Sequence, residues 1–182
     1  MRNLIMWNLM SLDGYIEGPN RDISWHNDVW GPELEALSKE QGWQAGALLF
    51  GRVTYELMAG YWPTATGEIA DYMNGLPKFV FSRTMEKADW NNTTLFNGDP
   101  AAEVTKLKRE EGKNIFVFGS ADLSATLIEA GLFDEYRIGV APLFLGGGAP
   151  LFKKRDEMAK LKLLGADRHS TGVVILRYAP AR

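Results

Sequence analysis

The chain has 182 residues, a formal net charge of −3 at pH 7, 46% hydrophobic residues and 24% charged residues, which predicts one globular domain over residues 1–182 with a sizeable core. No cysteine is present, which excludes disulfides and thiol catalysis and favours a reducing, cytoplasmic compartment. Since no long basic block and no membrane-length apolar run occurs, neither nucleic acid nor a membrane is expected as a partner.

The N-terminal region predicts a strand followed by a long loop. Arg2–Met10 has the apolar pattern of a buried strand, and Ser11–Ile16 turns away from it, with Gly14 permitting an unusual backbone angle. Glu17–Asp28 is polar and contains glycine and proline, so we predict a loop, and loops of this length are often functional. The lone His26 has no second metal-ligating residue at a suitable spacing, so we predict no metal site.

A helix and a second strand follow this loop. Proline at the first helical position and two glutamates in the first turn predict a helix over Pro32–Gln41, with Gly42 as its end. Ala45–Phe50 is a second buried strand. Thr54 is expected to cap a short helix that runs to about Gly60.

The middle of the chain continues this alternation. A short helix is expected near Ile69–Met73, and Pro77–Thr84 is a third strand that ends in polar residues. Thr93–Phe96 is a brief strand. A helix with proline at its first position starts at Asp99 and extends to about Glu111.

The stretch after Lys113 contains the clearest structural pattern. Ile115–Phe118 is a buried strand, Ser120 is suited to cap the helix that follows, and Gly131 stands where a helix commonly ends. Glu135–Ala141 then forms the next strand, so the segment predicts a parallel βαβ unit. Its turn at 119–121 presents backbone N–H groups and a positive helix end, where a phosphate can bind.

The C-terminal region predicts a change in strand direction. The three glycines at 146–148 form a flexible turn, and Leu161–His169 and Gly172–Tyr178 form an antiparallel hairpin. The whole chain therefore predicts an α/β open sheet, mostly parallel, with an antiparallel edge.

Three of the predicted strands end in groups suited to phosphate. These groups are Gly51–Thr54, Ser82–Thr84 and Gly119–Ala121, and the first two contain Arg52 and Arg83. Ligands of open α/β sheets bind at the carboxyl ends of the strands, and an arginine fork suits phosphate. Neither a Walker lysine motif nor GxGxxG is present, so we expect a ligand with several phosphates outside the ATPase and ordinary Rossmann classes.

The order and spacing of these motifs resemble the dihydrofolate-reductase-like superfamily, and most closely the C-terminal reductase domain of the bifunctional riboflavin-biosynthesis deaminase/reductase. The resemblance spans nearly the whole chain and rests on these segments: Ser11-Leu12-Asp13-Gly14, Gly51-Arg52-x-Thr54-x-Glu56, Ser82-Arg83, Phe118-Gly119-Ser120, Gly131-Leu132-Phe133-Asp134-Glu135, Ala141-Pro142-Leu143 and the glycines at 146–148. It implies a three-layer α/β fold with a mostly parallel mixed sheet of about eight strands. It also implies an enzyme that uses NADPH to reduce a small heterocyclic or carbonyl/imine substrate.

The resemblance also implies roles for particular residues. The cofactor would be bound by Asp13, Gly14, Ile16, Trp25, Gly51, Arg52, Thr54, Ser82, Arg83, Gly119, Ser120, Ala121, Asp122 and Leu123. Arg52 and Thr54 would hold cofactor phosphate, Ser82 and Arg83 would lie near the adenosine 2′-phosphate, and Asp13 would border the nicotinamide. The substrate would lie near Trp62 and Phe118. Asp13 and Glu33 are the candidate catalytic acids, and the alternative for Glu33 is a surface acid that favours the start of its helix.

The chain departs from the family pattern at three positions. Ser120 stands where relatives often have a second glycine, and Asp122 adds a negative charge beside the predicted phosphate site. Phe118 replaces an acidic residue that meets the substrate in the riboflavin-pathway domain, and phenylalanine cannot accept a hydrogen bond from a pyrimidine. Pterin reduction, nitro or quinone reduction and a non-catalytic NADP-binding module therefore stay open as alternatives.

A homodimer is expected for two reasons. Relatives of this domain pair, and exposed apolar patches usually mark interfaces or ligand clefts. The large apolar residues near predicted loops are Trp30, Tyr61, Trp62, Phe144 and Phe152.

Overall fold

A computed structural model describes residues 1–181 of the chain. The strands of this part are β1 (Leu4–Ser11), β2 (Tyr15–Glu17), β3 (Ala45–Gly51), β4 (Lys78–Phe81), β5 (Thr93–Phe96), β6 (Asn114–Phe118), β7 (Glu135–Ala141), β8 (Ala149–Pro150), β9 (Leu161–Arg168) and β10 (Val174–Pro180). Its α-helices are α1 (His26–Val29), α2 (Pro32–Gln44), α3 (Arg52–Tyr61), α4 (Glu68–Gly75), α5 (Pro100–Arg109) and α6 (Ala121–Glu129). None of these helices has both the length and the hydropathy needed to span a bilayer.

The main sheet has eight strands in the order β5-β4-β3-β6-β1-β7-β10-β9. The first six strands in this order run parallel to one another, whereas β10 is antiparallel to both β7 and β9. This arrangement confirms the predicted mixed sheet with a closing hairpin. The structure also contains a two-stranded antiparallel sheet, β2–β8, which the sequence patterns did not predict.

Helices cover both faces of the main sheet, which confirms the three-layer α/β fold. Successive side chains of a strand point to opposite faces, so alternate residues of β1 enter different apolar clusters. Ile5 and Trp7 belong to the cluster that includes residues of α2, α3 and α4. Leu4 and Met6 belong to the cluster that includes residues of α5 and α6.

The crevice at the centre of the sheet follows from the directions in which two helices leave it. β3 and β6 are adjacent and parallel. α3 follows β3 and packs Tyr55 into one apolar cluster, whereas α6 follows β6 and packs Leu127 into the cluster on the other face. Neighbouring strands whose helices diverge in this way open a crevice at their carboxyl ends, where ligands of α/β proteins bind.

The long N-terminal loop was predicted incorrectly in part. Tyr15–Glu17 forms β2, a 3-10 turn occupies Pro19–Arg21, and α1 starts at His26. β2 pairs with Ala149–Pro150, more than a hundred residues away along the chain. Such short strands leave no periodic pattern, because their pairing depends on a distant segment.

The predicted end of α2 at Gln41 was also wrong, since the helix continues through Gly42 to Gln44. Gly42 allows another side chain to approach the helix closely. A Cβ atom at position 42 would lie 2.2 Å from Cδ1 of Tyr72 in α4. Glycine at this position makes room for helix packing. The neighbouring sequence does not distinguish such a glycine from one that ends a helix.

Candidate functional site

A polar cavity of about 680 Å³ opens at the carboxyl ends of β3 and β4. This volume is in the range of ligand sites in proteins. The first turns of α3 and α6 and the β2–β8 sheet contribute to its wall. The lining residues are Ile16, Glu17, Gly51, Arg52, Val53, Thr54, Phe81, Ser82, Arg83, Thr84, Gly98, Asp99, Pro100, Ser120, Ala121, Asp122, Leu123, Thr126, Ala149, Pro150 and Lys153.

The turn between β6 and α6 joins the two helix starts. Gly119 and Ser120 both have left-handed backbone angles, with φ of +56° and +59°. The Ser120 backbone N–H donates to Thr54 Oγ1 over 2.9 Å, and Ser120 Oγ accepts from the Gly51 backbone N–H over 2.7 Å. These reciprocal bonds fix the starts of α3 and α6 beside each other.

The same bonds correct two expectations about helix caps. Gly51, rather than Thr54, is the N-cap of α3, and the Thr54 hydroxyl serves the neighbouring turn instead. Ser120 does occupy the N-cap position of α6, but its side chain makes no capping bond to that helix. A left-handed backbone directs this side chain toward Gly51, and the sequence pattern of a cap does not report that angle.

Both helices present unbonded backbone donors to the polar cavity. The first three N–H groups of an α-helix have no partner within the helix, and side-chain caps are absent here. For α6 these are the N–H groups of Ala121, Asp122 and Leu123, all of which line the cavity. Together with the positive helix ends, these N–H groups suit a phosphate group, such as those of the predicted cofactor.

The arginines of the cavity differ in their present partners. Arg52 Nη1 contacts Glu56 Oε1 at 3.1 Å in an exposed i,i+4 pair. Arg83 makes no ion pair with any described residue. Ser82 Oγ accepts from the Met85 N–H over 3.0 Å, a turn that leaves the adjacent Arg83 on the cavity wall. Arg83 is therefore available to an anion without breaking an ion pair.

Asp13 is engaged in holding a loop. Its carboxylate oxygens accept from the backbone N–H groups of Leu145 and Gly146 over 3.1 and 2.8 Å. Hydrogen bonding, first from the Ser11 side chain and then from these N–H groups, lowers the pKa of Asp13. Neither Asp13 nor Gly14 lines the polar cavity. This geometry makes Asp13 an anchor for the segment after β7.

Glu33 is engaged in the same way at another point of the fold. Its carboxylate accepts from the backbone N–H and the hydroxyl of Ser170 over 3.0 and 2.9 Å. Hydrogen bonding, first from the Ser170 side chain, lowers the pKa of Glu33. These bonds tie the start of α2 to the β9–β10 turn, and Glu33 does not line the polar cavity.

The aromatic residues predicted near the nicotinamide and the substrate lie in or against one apolar cluster. Trp25 is buried in this cluster, and Trp62 and Phe118 pack against it. The Phe118 ring lies 6.4 Å from the Phe50 ring and 6.2 Å from the Phe116 ring. Trp25, Trp62 and Phe118 do not line the polar cavity.

Sequence reasoning missed several residues of the polar cavity. Glu17, Ala149 and Pro150 enter its wall through the β2–β8 pairing, and Asp99 does so at the start of α5. Lys153 belongs to a short basic run that resembles any solvated surface segment. Only its position over α6 identifies it as part of the cavity.

A second, apolar cavity of about 250 Å³ lies along the side of α6. Its wall comes from β1, α6, β7, β9, β10 and the segment before β9. The lining residues are Met10, Ala125, Ile128, Glu129, Tyr136, Ile138, Phe152, Lys153, Lys154, Arg155, Ala159, Leu161, Leu176 and Tyr178.

Within the part of the chain that the structure describes, no group of three or more His, Asp or Glu side chains could hold a metal ion.

Comparisons with known proteins agree with this architecture. Residues 2–175 match the family described as RibD C-terminal domain. The uncharacterized protein YyaP of Bacillus subtilis is 33% identical over 182 residues, which cover 97% of this chain and 94% of that protein.

Two solved structures share the fold. A protein from Shewanella sp. PV-4, assigned to riboflavin biosynthesis, has a TM-score of 0.77 at 22% identity, with all of both chains covered. The diaminohydroxyphosphoribosylaminopyrimidine deaminase/5-amino-6-(5-phosphoribosylamino)uracil reductase of Thermotoga maritima has a TM-score of 0.71 at 14% identity, with 99% of this chain and 57% of that chain covered.

Proposed function

Because the chain belongs to the RibD C-terminal domain family, we propose that it is an NADPH-dependent reductase of a small heterocyclic or carbonyl/imine substrate. The observation that carries this proposal is the polar cavity, where two helix starts with unbonded N–H groups meet Arg83. This combination suits a ligand with separate phosphate groups. A dinucleotide phosphorylated on its ribose has that chemistry.

In this proposal the chain binds and orients the cofactor. The N–H groups at the start of α6 hold the pyrophosphate, and Arg83 with Arg52 receives the 2′-phosphate. NADPH, when bound, supplies the hydride. The backbone donors are positioned in advance by the Ser120–Thr54 and Ser120–Gly51 hydrogen bonds, which lowers the ordering cost of binding.

The carboxylates of the two predicted catalytic acids are both engaged in hydrogen bonds within the fold. Both Asp13 and Glu33 accept two hydrogen bonds from other parts of the fold. We propose that Asp13 acts by positioning the 145–153 segment and that water supplies the proton to the reduced substrate. The same observation favours the second candidate function, a module that binds NADPH without turning over a substrate.

Phe118 stands where the riboflavin-pathway domain has an acidic residue, so it cannot accept a hydrogen bond from a pyrimidine substrate. A buried polar group of the substrate that lacks its partner costs about 1–3 kcal/mol. The ribosylamino-pyrimidine of the riboflavin pathway is therefore expected to be a poor substrate here. Turnover of that compound as efficient as in dedicated enzymes would show that another residue accepts its hydrogen bond.

Cofactor titrations test the proposal directly. Wild-type protein should bind NADPH more tightly than NADH, because the 2′-phosphate gains a charge-assisted bond. Arg83→Ala should weaken NADPH binding about ten- to a hundredfold and leave NADH binding nearly unchanged. Equal wild-type affinities would remove the 2′-phosphate argument, and no binding of either cofactor would overturn the reductase proposal.

Turnover separates the reductase from the non-catalytic module. NADPH oxidation should be followed by the loss of nicotinamide absorbance with pterin, pyrimidine, nitro, quinone and carbonyl or imine compounds. Oxidation that depends on one of these substrates supports the reductase. Tight NADPH binding without turnover of any of them supports the binding module.

We also propose that the protein is a homodimer in the cytoplasm. Several aromatic residues predicted to mark an interface, Trp30, Tyr61, Phe144 and Phe152, are exposed, whereas Trp62 is partly buried. The densest group of exposed apolar side chains lies at 152–164 and includes one of these predicted residues, Phe152. It consists of Phe152, Met158, Leu161, Leu163 and Leu164, and it adjoins the apolar cavity. β9, which carries three of them, is an edge strand with exposed residues on both faces, so we place the dimer contact there.

A further inference from the structure

Lys153 holds the one acidic group at the start of α6 that would oppose a phosphate. Its amino group forms an ion pair with Oδ1 of Asp122. Asp122 lies in the first turn of α6, beside the unbonded N–H groups of Ala121 and Leu123. A carboxylate interacts favourably with the positive helix end but repels an anion that binds at the same place. The Asp122–Lys153 pair therefore controls how attractive this helix start is to a phosphate.

The segment that carries Lys153 is attached firmly to the fold. β8 pairs with β2, and the buried Leu151 donates its backbone N–H to the Gly14 carbonyl over 2.9 Å. Gly148 has a φ of +119°, and a Cβ atom there would lie 2.0 Å from the Glu17 carbonyl oxygen. Only glycine permits this contact. Lys153 follows Leu151 by two residues, so an anchored backbone presents it to the cavity.

The charges on the wall of the polar cavity are balanced. The cations are Arg52, Arg83 and Lys153, and the acids are Glu17, Asp99 and Asp122. Arg52 is also paired with Glu56, just beyond the wall. Loss of Lys153 would leave the wall with an excess of negative charge and would leave Asp122 without its cation. A polyanion would then meet repulsion at the helix start that should bind it.

We propose that Lys153 is an anion-binding residue of this cavity. Its ammonium group neutralises Asp122 and donates a hydrogen bond to a pyrophosphate oxygen of the bound dinucleotide. An ammonium group has three donors, so it can keep its bond to Asp122 while it bonds a phosphate. The inference rests on the proposed function for the identity of the ligand. It adds a residue and a role that neither the sequence patterns nor the family resemblance assigned.

Paired lysine variants test this role. Lys153→Ala should weaken NADPH and NADH binding equally, by about tenfold or more, because the pyrophosphate is common to both cofactors. Lys154→Ala removes the same charge from the adjacent residue, which does not line the polar cavity, and should change both affinities less than about twofold. Lys153→Arg keeps the charge and should retain most of the affinity. Melting temperatures of all variants should agree within about 2 °C, since the exposed pair contributes little stability.

A second substitution tests the neutralising role. Asp122→Asn removes the repulsive carboxylate, so the double variant Asp122→Asn/Lys153→Ala should bind both cofactors at least about threefold more tightly than Lys153→Ala alone. Equal cofactor affinities for the double variant and for Lys153→Ala would overturn the neutralising role. Equal effects of Lys153→Ala and Lys154→Ala would overturn the proposed bond, while wild-type binding would leave the proposed function intact. Absence of wild-type binding would overturn the proposed function and this inference together.

Discussion

The polar and apolar cavities share a wall but differ in chemistry, and α6 shows why. The first turn of the helix lines the polar cavity with backbone N–H groups that have no carbonyl partner within the helix. The side of the helix lines the apolar cavity with Ala125 and Ile128. Backbone geometry therefore makes one end of α6 suited to an anion, whereas side-chain composition makes its flank suited to an apolar partner.

The largest effect is expected for dimer formation through the apolar side chains of β9. Leu161→Glu/Leu163→Glu places two charges on one face of the edge strand β9, where both leucines are about half exposed. Burial of these charges in a dimer contact should raise the dissociation constant more than about a hundredfold. Light scattering at micromolar concentration should give twice the 20.3 kDa chain mass for wild type and the single-chain mass for the variant.

Lys162→Glu is the matched control for this substitution. Lys162 lies between the two leucines and points to the opposite face of β9. The control should remain dimeric, and NADPH binding should be the same in all three proteins. A wild-type mass of one chain would overturn the dimer proposal, and a dimeric double variant would move the contact away from β9.

The next effect is a change in stability with pH that involves neither cavity. Burial lowers the pKa of His26 from 6.5 to about 4. The unfolded chain therefore binds this proton first as the pH falls, so stability present above pH 6.5 is lost between pH 6.5 and 4. The maximum loss is about 3 kcal/mol.

His26→Gln removes this titration and serves as the comparison protein. Denaturation curves from pH 7 to pH 4.5 should show wild type losing stability more steeply than the variant. His26 lines neither cavity, so the dimer mass and the ratio of NADPH to NADH affinity should not change with this substitution. Parallel pH dependence in the two proteins would contradict the lowered pKa of the partly buried His26.

A smaller effect is expected at the joint between α3 and α6. Ser120→Ala removes the hydroxyl that accepts from the Gly51 N–H, which should destabilise the fold by about 1–3 kcal/mol. Cofactor binding should weaken as well, because the two helix starts lose a bond that fixes them beside each other. Thr105→Ala is the control, since its hydroxyl donates only to the carbonyl of Ala101 in the same helix, and its loss should cost less than about 0.5 kcal/mol. Equal melting temperatures for wild type and Ser120→Ala would contradict this account.

The smallest effect concerns a single arginine of the polar cavity. Glu56→Gln should change stability by less than about 0.5 kcal/mol, because the Arg52–Glu56 pair is exposed. It frees Arg52 for an anion, so NADPH should bind about two- to threefold more tightly. Glu103→Gln makes the same charge change in an exposed pair with Lys106, outside the polar cavity, and should leave NADPH affinity unchanged. Equal NADPH affinities for Glu56→Gln and Glu103→Gln would contradict a role for Arg52.

Local patterns predicted much of the fold correctly. The strands near residues 45–50, 115–118 and 135–141 were found because each is a short apolar run bounded by turn residues. The hairpin near the C-terminus was found from its turn and its two strand patterns. These features depend on residues close in sequence, so the sequence records them directly.

The sequence by itself determined the alternation of strands and helices and the phosphate-suited turns at the strand ends, because these depend on local backbone preferences. Only the tertiary structure decided that Asp13 and Glu33 serve as anchors and that Thr54 bonds the turn of another strand. It also decided that Lys153 faces Asp122. Each of these pairings joins residues at least 31 positions apart, and such a contact exists only after the β-strands have aligned in space, which no neighbouring residue in the chain encodes.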